Sequence, residues 1–223
     1  MEFLIDSQQA LEDAVEHFGI LPFFRNSIPG FSISEHVPPE LWFTDQPGPW
    51  EWKGPVIRGI ACAYGKFFEK KAAYVSKAWF RDLANFRRDG YDFDARFDDG
   101  LASYQDKQLF EQILALEPVT STRLKRETGY GRDGRKGFDT VLTRLMMEGY
   151  VLISDFVYQQ DSRGRPYGWG VAEYQTPERF FGLAFSGAVY ERSPQESYTR
   201  LREHLRSLFP EAEEKAISRF LRG

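Results

Sequence analysis

Residues 137–174 read GFDTVLTRLMMEGYVLISDFVYQQDSRGRPYGWGVAEY. Phe138, Val141, Leu142, Leu145 and Met146 recur at i, i+3, i+4, i+7 and i+8, which predicts a helix with one apolar face. Gly149 supplies its stop. Tyr150–Tyr158 has strand composition in Val151, Ile153, Phe156 and Tyr158, although its alternation is loose. The polar run Gln159–Pro166, with Gly164 inside it, reads as a hairpin loop, and a second strand follows over Tyr167–Tyr174.

Upstream, Tyr104–Leu116 carries Leu109, Phe110, Ile113, Leu114 and Leu116 on a helical period. Thr120 or Ser121 caps a second short helix over Thr122–Thr128, closed by Gly129. A loop, Tyr130–Gly137, leads into the third helix. Three helices followed by a β-hairpin form the order of a winged helix, a unit of about seventy residues whose third helix enters the major groove in DNA-binding examples. The expected fold is therefore α+β. A central winged helix-turn-helix unit (101–175) lies between an aromatic-rich N-terminal α/β part (1–100) and C-terminal helices (176–223).

Charge gives this unit a candidate role. Arg123, Lys125, Arg126, Arg132, Arg135 and Lys136 precede the third helix, opposed by Glu127 and Asp133. Arg163 and Arg165 stand in the hairpin loop, opposed by Asp161, and Arg144 lies on the polar side of the third helix. A local basic patch of this kind suits phosphate contact, with duplex DNA as the expected partner. The polar side of the third helix is less suited to reading bases, since it includes Asp139 and Glu148. The alternative is a solvated charged surface on a structural or protein-binding unit.

The chain has 223 residues and a net charge of −4, so it is long enough for a sizeable core and is not a wholesale polyanion binder. Cys62 is the only cysteine, which excludes an intramolecular disulfide and a thiolate metal cluster. Met1–Ile5 is too short for an export leader, and no apolar run reaches membrane-spanning length. The expected location is the cytoplasm, with no membrane partner. The sequence sets no oligomeric state.

Elsewhere, Ser7–Phe18 reads as a capped helix closed by Gly19, followed by the apolar run Ile20–Phe24. Residues 31–52 combine prolines with Phe31, Trp42, Phe43, Trp50 and Trp52, which predicts an ordered, wrapping loop. Val56–Phe68 and Ala72–Val75 read as extended, joined by a charged turn, and Ser76 caps a helix to about Arg88. Asp89–Gly100 reads as an acidic linker. Thr176-Pro177 and Ser193-Pro194 each open a C-terminal helix, the second with Glu196 completing a capping box, and a last helix spans about Glu211–Leu221.

Catalytic signals are sparse. His17, His36 and His204 are far apart and lack metal-ligand neighbours, so neither a metal site nor a cofactor is expected. The acids between Asp89 and Asp99 have the wrong order for a calcium loop. Trp50, Glu51 and Trp52, with Tyr64, Lys66 and Trp169 elsewhere, mix flat rings with charges. They form a candidate pocket for a flat ligand such as a base, or else core plus an exposed acid.

The segments HFGILPFF, AYGKFFEKKAAYVS, VTSTRLKRETG and GFDTVLTRLMMEGYV together resemble the AlkZ-related proteins over most of the chain. These are relatives of the AlkZ/YcaQ DNA glycosylases, longer enzymes built from tandem winged helices and a β-barrel that excise alkylated bases. The resemblance implies nucleic-acid binding, with a divergent base-excision glycosylase as the alternative. The glycosylases carry Gln, an apolar residue, then Gln or Asp after a Leu-Gly turn, and this pair positions water. The equivalent positions here are Pro22 and Phe24, both expected to be buried, and neither orients water. Glu51 is the candidate replacement carboxylate.

Overall fold

The computed structural model describes residues 3–43, 46–131, 134–164 and 166–223. The chain opens with α1 (Gln8–Phe18), whose N-terminus is capped by Ser7 Oγ accepting from the Ala10 amide at 3.2 Å. Strand β1 (Ile20–Pro22) follows at once. Single 3-10 turns at Ile33–Glu35 and Pro39–Leu41 punctuate the next stretch.

Residues 49–60 then form α2 (Pro49–Ile60), a helix where the sequence predicts a loop giving way to a strand. The reasons are local and tertiary. Pro49 occupies the first turn, where its missing N–H costs nothing, and the Glu51 carboxylate accepts from the Gly48 amide at 2.9 Å. Trp52, Val56 and Ile57 then share a buried side. Gly54 and Gly59, which read against a helix, are contact points. A Cβ at Gly54 would meet Asp155 Oδ1 at 3.0 Å, and one at Gly59 would meet Glu12 Oε1 at 2.8 Å. α2 thus lies against α1 on one side and the later hairpin on the other.

Strands β2 (Ala63–Phe68) and β3 (Lys71–Val75) form a hairpin whose turn residues Glu69 and Lys70 both have positive φ. Helix α3 (Lys77–Arg88) ends at Asp89 in the left-handed region. Inside the expected acidic linker lies a further helix, α4 (Phe93–Asp98). Asp92 Oδ1 caps it at 2.8 Å, and the buried Phe93 ring stacks on Phe110 with centroids 4.2 Å apart. Six residues hold because one aromatic anchors them, which acidic composition conceals.

Next come α5 (Tyr104–Leu116), the two-residue β4 (Val119–Thr120), α6 (Ser121–Glu127) and α7 (Phe138–Met147). A long hairpin follows, β5 (Leu152–Gln160) and β6 (Pro166–Gln175). The helix expected after Thr176 is broken at Gly182, φ +83°, into α8 (Pro177–Phe181) and α9 (Leu183–Ala188). Phe185 of α9 is buried and Ala184 beside it is exposed. α10 (Pro194–Leu208) carries the expected capping box, and α11 (Glu214–Arg222) starts three residues later than expected.

The strands make one antiparallel sheet in the order β1-β3-β2-β5-β6-β4. The junction of its halves is Tyr64 opposite Ile153. Helices cover the sheet, so the fold is α+β, and one cluster of buried apolar residues runs from Ile5 to Leu221. Two buried charges tie the layers. Arg88, 2 % exposed, donates to Glu178 at 2.6 Å, to Tyr190 Oη at 3.1 Å and to the Gly149 carbonyl at 2.7 Å. Burial alone would lower the pKa of this guanidinium, but Glu178 and Tyr190 outweigh it and the net direction is up. Asp82 on α3 accepts from Ser197 at 3.0 Å and Arg200 at 3.1 Å, both on α10. Among the described residues no helix is long and apolar enough to cross a membrane.

Candidate functional site

α5, β4, α6, α7, β5 and β6 follow one another over residues 104–175. β4 returns to the sheet edge, pairing Val119 with Tyr174 and Thr120 with Glu173. That pairing sets α6 in place, and Thr120 Oγ1 caps it, accepting from the Arg123 amide at 3.4 Å. Gly137, φ +93°, turns the chain into α7. Phe138, Val141, Leu142, Leu145 and Met146 bury the apolar face read from the sequence, each contributing on the order of 1.5–3 kcal/mol. Thr143 is largely buried as well, in the wall of a cleft beside β2, which packs on α7. Only a narrow strip of α7 stays open, beginning at Asp139 and Thr140.

The basic residues differ in how free they are. Arg123, Lys136 and Arg163 are exposed, and among the described residues their side chains have no bonded or ion-pair partner. Arg126 is exposed but donates to its neighbour Glu127 at 2.9 Å. Lys125 is half-buried, its ammonium 4.8 Å from the centroid of the Phe138 ring. Arg135 donates to Gln108 Oε1 at 2.6 Å and lies 5.0 Å from the Tyr130 ring, which holds its exposed guanidinium in one place. Arg144 is committed elsewhere, donating to Asp106 at 2.8 and 2.5 Å. Arg132 and Arg165 lie outside the described residues.

The candidate aromatic pocket is dispersed. Trp50 and Trp52 lie on α2 rather than in a wrapping loop. Trp50 stacks on Phe23 at 5.2 Å and meets Trp42 edge-on at 5.5 Å, while Trp52 is buried. Glu51 caps the helix from its first turn. Tyr64 is buried between Phe23, Tyr74 and Phe156, and desolvation drives its hydroxyl pKa upward. Lys53, next to Trp52 but not among the expected pocket residues, is sandwiched between Trp50 at 5.2 Å and Phe156 at 4.4 Å. Burial lowers its pKa, against the opposing pull of Glu51. Trp169 stands apart on β6, largely exposed.

Lys66 belongs to a different surface. It lines a cleft of about 590 Å³ between the β2–β3 hairpin and α7, with Lys70, Arg87, Thr140, Arg144 and Glu148 among its walls. Glu148 pairs with Arg96 at 3.2 Å, and burial holds its pKa above the usual carboxylate range despite that partner. Lys70 and Arg87 carried no sequence signal, because the hairpin and α3 meet α7 only in the folded chain.

The two positions that the resemblance sets against the glycosylase pair are both apolar in type but differ in place. Pro22 is buried at the end of β1, but Phe24, expected to be buried, is 37 % exposed with its ring 6.1 Å from Trp50. The outward turn follows β1, where the Phe23 amide still donates to the Ala72 carbonyl at 2.8 Å and sends Phe23 inward. The histidines serve structure: His204 stacks on Trp79 at 3.8 Å, and a ring nitrogen lies 2.7 Å from the Phe18 carbonyl. Among the described residues no three His, Cys, Asp or Glu side chains cluster as a metal site would require.

An α+β chain with one mixed core, a cationic loop before α7 and a charged cleft beside it is what fold and surface define. The chain matches the model of the family described as AlkZ related over residues 5–222 and belongs to that family. No curated protein and no solved structure matches it.

Proposed function

We propose that residues 104–175 form a winged helix and that the protein binds duplex DNA, mainly through phosphates. The observation that carries this reading is the distribution of free charge. Arg123, Lys136 and Arg163 are exposed and unpaired among the described residues, on α6, on the loop before α7 and on the β5–β6 turn. Arg135 joins them, oriented by Gln108. The element order, and the pairing of β4 outside β6, supports the winged-helix assignment. Sequence reading by α7 is not favoured, since its open start offers an acid and one hydroxyl, and Arg144 is already paired. Family membership supports a connection with DNA repair. Pro22 and Phe24 hold the positions of a water-orienting pair without polar side-chain atoms, which supports binding without base excision.

The test is a salt titration of duplex affinity by fluorescence anisotropy. Binding weakens steeply with salt, and Arg123→Ala or Lys136→Ala each lowers the log–log slope by about 0.9. Wild-type protein that binds no duplex even at low salt overturns the reading.

A further inference from the structure

We propose that the cleft between α7 and the β2–β3 hairpin is a second phosphate-binding site, and that it takes a phosphate of the nucleic-acid backbone. The nucleic-acid source rests on the function proposed above; the phosphate chemistry does not.

The charges around the cleft do not cancel. Arg144 is neutralised by Asp106, and Glu148 by Arg96. What remains is Lys66, Lys70 and Arg87 against Asp139. Lys66 and Lys70 are exposed, and among the described residues their ammonium groups have no partner. Arg87 donates to two neutral carbonyls, those of Arg222 at 2.8 Å and Phe67 at 3.2 Å, while its Nε is buried with no partner. Among the described residues no side-chain carboxylate pairs with it, and burial lowers its pKa to about 10.

Three cations beside the Thr140 hydroxyl offer charge-assisted donors around a space of about 590 Å³, ample for a tetrahedral oxyanion. Arg87, desolvated and without an acid, is held at a cost that a bound anion offsets. The cationic loop also leads into the cleft: Lys136 stands two residues before α7, and Asp139 and Thr140 in the first turn of α7 line the cleft. A backbone held at Lys136 would meet the start of α7, whose Asp139 and Thr140 share the cleft with the hairpin lysines Lys66 and Lys70.

The experiment uses methyl-labelled methionine. Met147 lines the cleft, whereas Met146 is buried beneath it, so the two signals report site and core separately. Met147→Leu assigns the signal. Wild type and the Lys66→Gln/Lys70→Gln variant are titrated with a short duplex and, separately, with inorganic phosphate. Both lysines are exposed, and an unchanged thermal melt shows that the variant folds. The expected result is that duplex moves the Met147 signal and leaves Met146 still. The variant then loses this shift, and its salt slope falls by about 0.9 per lysine. Duplex binding with Met147 unmoved and the variant's slope unchanged overturns the cleft while leaving the loop-mediated function intact. A Met147 shift with inorganic phosphate alone, in protein that binds no duplex, keeps the phosphate site and removes its nucleic-acid source. No shift with either ligand overturns the proposal outright.

Discussion

Arg144 on α7 donates twice to one oxygen of Asp106 on α5, at 2.8 and 2.5 Å, while the other Asp106 oxygen accepts from the Ser103 amide at 2.9 Å and hydroxyl at 2.6 Å. One carboxylate, 3 % exposed, thus caps α5 and ties it to α7. The only arginine on α7 is held by a neighbouring helix.

Arg144→Ala is therefore a stability variant. It leaves one oxygen of a buried carboxylate unpaired, at a cost of about 1–3 kcal/mol, measured by urea unfolding. The lower part of that range is expected, because the Arg144 side chain is 41 % exposed. The salt slope of duplex binding stays at the wild-type value. A variant of undiminished stability with a reduced slope would show that Arg144 reaches phosphate instead.

Arg88 binds three sequence-distant groups at once, so its loss is more severe. Arg88→Ala strands Glu178 and the Gly149 carbonyl and costs about 3–5 kcal/mol. Adding Glu178→Ala costs less in that background than alone, because its charge has lost its partner. Additive effects in the double-mutant cycle would contradict the pairing.

Cys62 carries a pH dependence. Burial pushes its thiol pKa up to about 12, from 9.0 for a free thiol. The unfolded chain loses this proton first, so the contribution to stability is whole below about pH 9 and is lost as pH rises toward 12. The slope approaches about 1.4 kcal/mol per pH unit inside that window. Cys62→Ala removes this part of the decline between pH 9 and 10, and a thiol reagent at pH 8 modifies native protein far more slowly than protein in urea. Rapid modification of the native state would refute the burial.

Glu51 separates cap from catalyst. Glu51→Gln keeps an acceptor for the Gly48 amide and loses only the negative charge at the start of α2, about 0.3–1 kcal/mol, and leaves duplex affinity unchanged. Neither wild type nor variant excises base from N7-alkylguanine duplex. Excision by wild type that disappears in Glu51→Gln would identify this carboxylate as catalytic and displace the binding-only reading.

The sequence alone determined the elements whose signals are local. α1, α7 and α10 follow from apolar periodicity with Ser7, Gly149 and the Ser193–Glu196 pair at their ends. The β5–β6 hairpin follows from a glycine-containing polar turn between strand-like runs. Each signal lies within a few residues, where capping hydrogen bonds and side-chain periods act. α2 escaped because two prolines and two glycines read against a helix, and the glycines make sense only against Glu12 and Asp155. α4 escaped because its anchor, Phe93, has its partners at Phe110 and Tyr150.

The distribution of charge was decided by tertiary structure. Composition counted Arg144 with the free cations, but Asp106 lies 38 positions away in sequence and 2.5 Å away in space. Lys66 was grouped with Trp50 and Tyr64, yet it faces α7 across a cleft that the sequence does not announce. Periodicity shows which face of an element is buried. Which charge that face finally meets depends on packing between distant segments, and that pairing divides the cations of this protein into those that hold the fold and those left for a ligand.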